Sequence, residues 1–159
     1  MTTYQTRRRV PFTPRQMFDL VADVEQYPKF VPLCEALVVR SRAGEGDKHI
    51  ITADMTVGYK AIRETFASRV TLEPARLTVT AANVAGQAHG PFRHLENRWS
   101  FAEAPGGCDV DFFISYEFKS MMLQMLMGGL FDRAFRRFAD AFEERARIVY
   151  AAGRSAGAA

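Results

Sequence analysis

The sequence predicts an α+β fold, a curved antiparallel sheet of about seven strands wrapped around one long C-terminal helix. The helix is the first reason. Met121 to Tyr150 runs without proline, and Phe131, Phe135, Phe138 and Phe142, with Val149 beyond, share one helical face. Asp132, Arg133, Arg136, Arg137, Asp140, Glu143, Glu144 and Arg147 fill the other face. The second reason is the preceding chain, where short alternating stretches are separated by Gly- and Pro-rich turns; that pattern belongs to hairpin-joined strands with one wet face. The third is size. At 1.5 Å per residue the helix would be roughly 45 Å long, and the dry face of the sheet is the surface able to receive it.

The elements follow in order. Tyr4 to Val10 is a first strand with Tyr4, Thr6, Arg8 and Val10 on one face. Its run Arg7-Arg8-Arg9 reads either as a solvated strand end or as an anion-binding patch. Thr13-Pro14-Arg15-Gln16 starts a helix, with Thr13 as cap, Pro14 at the first helical position and Gln16 completing a capping box. That helix should stop between about Asp23 and Gln26, because Pro28 pushes Tyr27 out of helical geometry. Tyr27 to Pro32 is a bent connector that lays Tyr27 and Phe30 on something apolar. Strands then follow at Ala36–Arg42, Lys48–Val57, Ala61–Leu72, Leu77–Asn83, Pro91–Phe101 and Asp109–Phe118, with a tight hairpin beginning at Gly58 and a small-residue loop from Val84 to Gly90.

Length and composition suit one soluble domain. The chain has 159 residues, 48% hydrophobic and 25% charged, with a net charge of +3. Residues 1–150 are expected to form the domain, and 151–159 (AAGRSAGAA) a disordered tail. The mild basic excess permits contact with anionic lipid or RNA without requiring it. Cys34 and Cys108 lie far apart and read as reduced thiols of a cytoplasmic protein. The start, MTTYQTRRRV, has no apolar signal region, and the uncharged run Ser120 to Phe131 is far shorter than the ~20 residues of a membrane span. The expected protein is soluble or peripheral.

Catalytic and metal motifs carry little. Gly153-Arg154-Ser155-Ala156-Gly157 matches a nucleophile-elbow pattern, but it follows a helix instead of joining a strand to one. His49, His89 and His94 lack metal-ligand spacing. No catalytic residue and no metal are expected, and the protein is read as a non-enzyme. Glu64 is the odd charge on an apolar strand face. It sits at the sheet rim or pairs with an arginine, or it anchors a ligand at a cavity mouth. Met121, Met122, Met125 and Met127 give an adaptable apolar surface, as ordinary core or as a lipid-facing or gating element. Gly128-Gly129 costs roughly 1 kcal/mol per glycine in a helix, which close packing, a kink or a hinge would justify.

Several blocks resemble a known family in combination: Tyr27-x-x-Phe30-x-Pro32-x-Cys34; Ala53-Asp54-Met55-Thr56-Val57-Gly58-Tyr59 with Glu64-Thr65-Phe66-x-Ser68-x-Val70; Gly90-Pro91-Phe92-x-x-Leu95-Glu96-Asn97-x-Trp99-x-Phe101; Tyr116 to Ser120; and Ala141-Phe142-Glu143-x-Arg145-Ala146. The chain is similar to the coenzyme Q-binding START-domain family, within the polyketide cyclase/dehydrase and lipid-transport superfamily, from about Tyr4 to Val149. The resemblance implies the helix-grip (START-like) fold around a cavity. It also implies non-catalytic binding of ubiquinone or a related polyprenyl lipid in support of respiration or quinone biosynthesis. A related bacterial branch, the ribosome-association toxins, implies the alternative of binding the large ribosomal subunit and blocking subunit joining. The short N-terminal extension suggests a bacterial, cytoplasmic member, peripheral to the inner membrane through lipid contact.

The expected cavity lies between helix and sheet, lined by Phe66, Val70, Leu95, Trp99, Phe112, Tyr116, Met127, Phe131 and Phe135, at roughly 300–1,000 Å³. Tyr116 or Arg98 is expected to hydrogen-bond a quinone head, with Glu64 as a further polar anchor. A ribosome binder is expected to expose Arg7, Arg9, Lys119, Arg133, Arg136 and Arg137.

Overall fold

Seven antiparallel strands pair in the order β1-β7-β6-β5-β4-β3-β2 in a computed structural model that describes residues 1–84 and 90–158, with side chains to residue 151. The strands are β1 (Thr2–Val10), β2 (Cys34–Glu45), β3 (Lys48–Tyr59), β4 (Ile62–Glu73), β5 (Thr78–Asn83), β6 (Phe92–Ala104) and β7 (Gly107–Phe118). Strands β2 to β7 form one meander, and β1 closes onto β7 by pairing Thr2 with Tyr116 through to Val10 with Cys108. The expected loop from Val84 to Gly90 falls mostly outside the described residues.

Helix α1 (Pro14–Ala22) begins as its sequence demands. Thr13 Oγ1 accepts from the Gln16 amide at 3.0 Å, and Gln16 Oε1 accepts from the Thr13 amide at 2.9 Å. A 3-10 segment (Val24–Lys29) with Pro28 inside follows. The hairpin expected at Gly58 turns two residues later: Gly58 still pairs with Arg63, Tyr59 pairs with Ile62, and Lys60 takes the left-handed conformation (φ 56°).

The single helix expected over Met121–Tyr150 is two, α2 (Met121–Arg136) and α3 (Phe138–Ala158). Ser120 caps α2 by accepting from the Leu123 amide at 3.1 Å. At the break the Arg137 amide reaches Ala134 O at 3.0 Å, a tightened turn with no glycine or proline to announce it. The bend lets one aromatic stripe follow a curved sheet. Phe135 packs edge-on to Tyr116 (4.9 Å between ring centres), Phe138 lies over Phe112 (6.2 Å), and Phe142 reaches Trp99 (4.8 Å). Phe135 and Phe142 are buried, and Phe138 is half-buried. Where a disordered tail is expected over 151–159, the backbone of α3 continues through Ala158; side chains from residue 152 on lie outside the described residues.

Alternation along β1 turns Arg8 inward beneath α3. Its guanidinium meets Asp140 at 2.6 Å and Glu143 at 3.1 Å, while Arg147 holds the other Glu143 oxygen. Burial alone would lower the Arg8 pKa, but the hydrogen bonds to both carboxylates outweigh it and hold it raised. Arg7 and Arg9 point outward and pair across β1–β7 with Asp111 (2.7 Å) and Asp109 (3.0 Å). The arginine run is therefore a set of strand-to-strand and strand-to-helix ties, with Arg7 and Arg9 exposed as the strand-end alternative has them.

Candidate functional site

The concave face of the sheet and α2 enclose a cavity of about 70 Å³. From the sheet it is lined by Phe66, Ser68, Val70, Leu95, Asn97 and Trp99, and from the helices by Phe131, Ala134, Phe135 and Phe138. Tyr27, Pro32 and Leu33 of the connector close one side. Period-two alternation places Leu95, Asn97 and Trp99 together from β6, while positions three and four apart bring Phe131, Ala134, Phe135 and Phe138 to one helical face. Gly90 allows close approach at the β4 side, since a Cβ there would lie 2.6 Å from Phe66 Cβ.

Polar groups in the lining are turned toward the protein. Trp99 Nε1 donates to Asn97 Oδ1 at 2.9 Å, and Asn97 Nδ2 donates to Phe113 O at 2.9 Å. The Tyr27 hydroxyl donates to Val21 O, and burial, with Cys34 and Asp23 adding, pushes its pKa up. Ser68 Oγ has only a long contact, 3.5 Å, to Ala82 O. The interior therefore offers an apolar ligand broad contact, and Asn97 and Ser68 retain spare hydrogen-bonding capacity.

Of the expected lining residues, Phe66, Val70, Leu95, Trp99, Phe131 and Phe135 meet at the cavity. Phe112, Tyr116 and Met127 do not line it. They are buried behind it, where Phe112 packs on Trp99 at 4.7 Å and Tyr116 on Phe135 at 4.9 Å. Arg98 is on the opposite sheet face, exposed and stacked over Phe113 at 4.1 Å, because it neighbours inward-facing Trp99 on a strand. Glu64 is half-buried near the hairpin end of β4, opposite the lining residue Val57, and does not itself line the cavity. Tyr27, Ser68 and Asn97 also line the cavity, outside the set that periodicity predicts. Asn97, a polar residue in register with Leu95 and Trp99, was the available signal.

The cavity is far below the roughly 300–1,000 Å³ of ordinary ligand pockets, which corrects the expected size. Edge-on aromatic pairs fill the space, with Phe92 meeting Phe66 at 5.3 Å and Phe131 at 5.4 Å. A ligand the size of a quinone must displace something, and α2 holds the Gly128-Gly129 pair. Both glycines are in uninterrupted helix. A Cβ at Gly128 would meet only the movable Gln124 amide, and one at Gly129 nothing closer than 3.6 Å. Close packing and a static kink therefore do not account for the pair. Gly129→Ala is expected to stabilise the protein by about 0.5–1 kcal/mol in urea denaturation.

Cys34 lies beside the connector, and Cys108 is buried at the far end of β7. Burial pushes each thiol up to about 11. At pH 8 the native protein should alkylate with iodoacetamide about a hundredfold more slowly than the urea-unfolded chain, because so little thiolate forms. The raised thiol pKa favours folding below the unfolded thiol pKa, and that contribution fades as pH rises through about 11. Among the described residues no three potential metal ligands come together, and no helix is long and apolar enough to cross a membrane.

Seven strands gripping a bent helical stripe over an apolar cavity define the helix-grip class. The chain belongs to the family described as polyketide cyclase / dehydrase and lipid transport, whose model matches residues 10–143. It is 32% identical over 153 residues to the ribosome association toxin RatA of Rickettsia prowazekii, covering 94% of this chain and 99% of that one. It is 33% identical over 151 residues to the mitochondrial coenzyme Q-binding protein of Schizosaccharomyces pombe, covering 92% and 88%. Among solved structures, an 18 kDa Caulobacter crescentus protein superposes with a TM-score of 0.74 at 31% identity, over 95% of this chain and 99% of that one. A Streptomyces aromatase/cyclase shares the fold at a TM-score of 0.76 and 13% identity, over 94% and 97%.

Proposed function

We propose that this protein binds a polyprenyl quinone such as ubiquinone between α2 and the sheet, without turning it over, in support of respiratory electron transport or quinone biosynthesis. The carrying observation is the apolar cavity whose polar groups are almost all spoken for by the protein. An isoprenoid tail contributes about 0.8 kcal/mol per buried methylene-sized group, and its ring needs one or two hydrogen bonds. Asn97 and Ser68, which line the cavity with hydrogen-bonding capacity to spare, would supply those bonds. Opening comes from movement of the first turns of α2 about Gly128-Gly129. Among the described residues the lining holds no nucleophile beside a base, which supports binding without turnover.

The test is solvent extraction of freshly purified protein followed by mass spectrometry, then return of quinone to the stripped form. Trp99 is the one tryptophan in the chain and lines the cavity, so bound quinone should quench its fluorescence. Absence of any isoprenoid lipid together with unchanged Trp99 emission would overturn the proposal. Gly128→Ala with Gly129→Ala should keep the equilibrium affinity near the original and slow loading.

The full-length likeness to the Rickettsia toxin favours one second reading, association with the large ribosomal subunit. Arg7 and Arg9 are committed to Asp111 and Asp109, and Arg136 to Asp132 at 3.1 Å. Among the described residues Arg133 and Arg137 form no ion pair, so a ribosome contact would centre on α2. Co-sedimentation with large subunits that falls steeply with salt would promote this reading.

A further inference from the structure

The exposed face of α2 changes character along its length. Met122, Leu126, Gly129, Arg133 and Arg137 follow one another at spacings of four, three, four and four, and all are exposed. Met122 is 70% and Leu126 64% exposed, and Met121 and Met125 beside them are 77% and 81% exposed. These are large apolar side chains without a covering element, on a helix whose inner face, Phe131 and Phe135, closes the cavity. No charge falls between Ser120 and Phe131, and beyond that stretch lie Lys119 and Glu117 on one side and Asp132 and Arg133 on the other. The nearest acids are engaged, Asp132 with Arg136 at 3.1 Å and Glu117 with Arg93 at 3.5 Å.

We propose that this face of α2 docks on an anionic lipid bilayer, with Met121, Met122, Met125 and Leu126 entering the acyl boundary and Arg133 and Arg137 meeting headgroups. An exposed helical face that is apolar at one end and basic at the other suits the membrane interface, where both environments lie within one helix diameter. A second copy of the chain fits it poorly. Seated antiparallel, it would set the apolar half against the basic half, and seated parallel it would oppose Arg133 to Arg133. RNA would satisfy the arginines and leave the methionines in water. The inference rests on the lipid-binding reading in one respect: a ligand too apolar for water enters the cavity from a bilayer, and the docked segment is the one that must move to admit it.

The experiment is flotation of the full chain with vesicles of phosphatidylcholine alone, or of phosphatidylcholine and phosphatidylglycerol at about 3:1. The wild type is expected to float with the mixed vesicles, less so as salt rises. Met122→Glu with Leu126→Glu should lower the bound fraction about tenfold or more while leaving the circular dichroism and thermal midpoint unchanged, since both side chains are exposed. Arg133→Gln should weaken binding about fivefold, and only to the mixed vesicles. The proposal is overturned if the wild type floats with neither vesicle, or if the double glutamate variant floats as well as the wild type. It is also overturned if the wild type proves a dimer that the variant makes monomeric while vesicles are ignored. Quenching of Trp99 by a short-chain, water-soluble quinone, measured without vesicles, separates the two claims. Quenching without flotation sinks the docking surface alone, and flotation without quenching sinks the quinone reading alone.

Discussion

Phe142→Ala should cost about 3–5 kcal/mol of stability and lower the thermal midpoint by about 10 °C or more. Phe142 is 1% exposed. Its ring meets Tyr27 at 5.3 Å, Phe30 at 4.9 Å and Trp99 at 4.8 Å, all near perpendicular or steeply tilted. Those partners come from the 3-10 segment, the connector after it and β6, so one side chain joins three elements to α3. Truncation leaves a void between them, and each edge-on pair lost adds about 0.5–1.5 kcal/mol beyond area. Urea titration followed by Trp99 emission and far-ultraviolet dichroism measures the loss, and Phe142→Leu should cost markedly less. A loss below about 1 kcal/mol would mean that the connector is not held through this ring.

Ala134→Leu should abolish quinone loading while the protein stays folded. Ala134 is 6% exposed and lines the cavity from α2. The substitution adds three carbons to a space of about 70 Å³. If they settle into low-energy rotamers, burying them stabilises the empty form by up to about 2 kcal/mol; if they crowd Phe131 or Phe135, overpacking costs about 1–3 kcal/mol. In either case the ligand must expel them, and extraction followed by mass spectrometry should find the purified variant empty. A variant that still co-purified with isoprenoid lipid would place the ligand elsewhere. Phe135→Asp is the harsher companion, since an unpaired buried carboxylate costs several kcal/mol, roughly, and its dichroism must be recorded before an empty cavity is credited to lost binding.

The sequence by itself determined the strands, their antiparallel order through β2 to β7, and which residues share a face on β1, β3, β4, β6 and β7. Alternation along Asp109–Phe118 and the three-and-four spacing of Phe131, Phe135, Phe138 and Phe142 are local patterns, and burial in the fold follows them. The caps at Thr13 and Ser120 are equally local, being hydrogen bonds within one turn. The tertiary structure decided the rest. It broke the last helix at Arg137 because the helix must follow the curvature of a sheet built by distant strands, and no residue there signals a bend. It moved Phe112, Tyr116 and Met127 behind the cavity, since periodicity gives a face but not the depth along it. It turned Arg98 outward, as one step along a strand reverses the side chain. It also bound Arg7 to Asp111 and Arg9 to Asp109, neighbours about a hundred residues apart that only the β1–β7 register brings together. The cavity's size was decided there too, because free volume is what remains after aromatic rings from five or more elements have interlocked, and no single stretch of chain encodes that remainder.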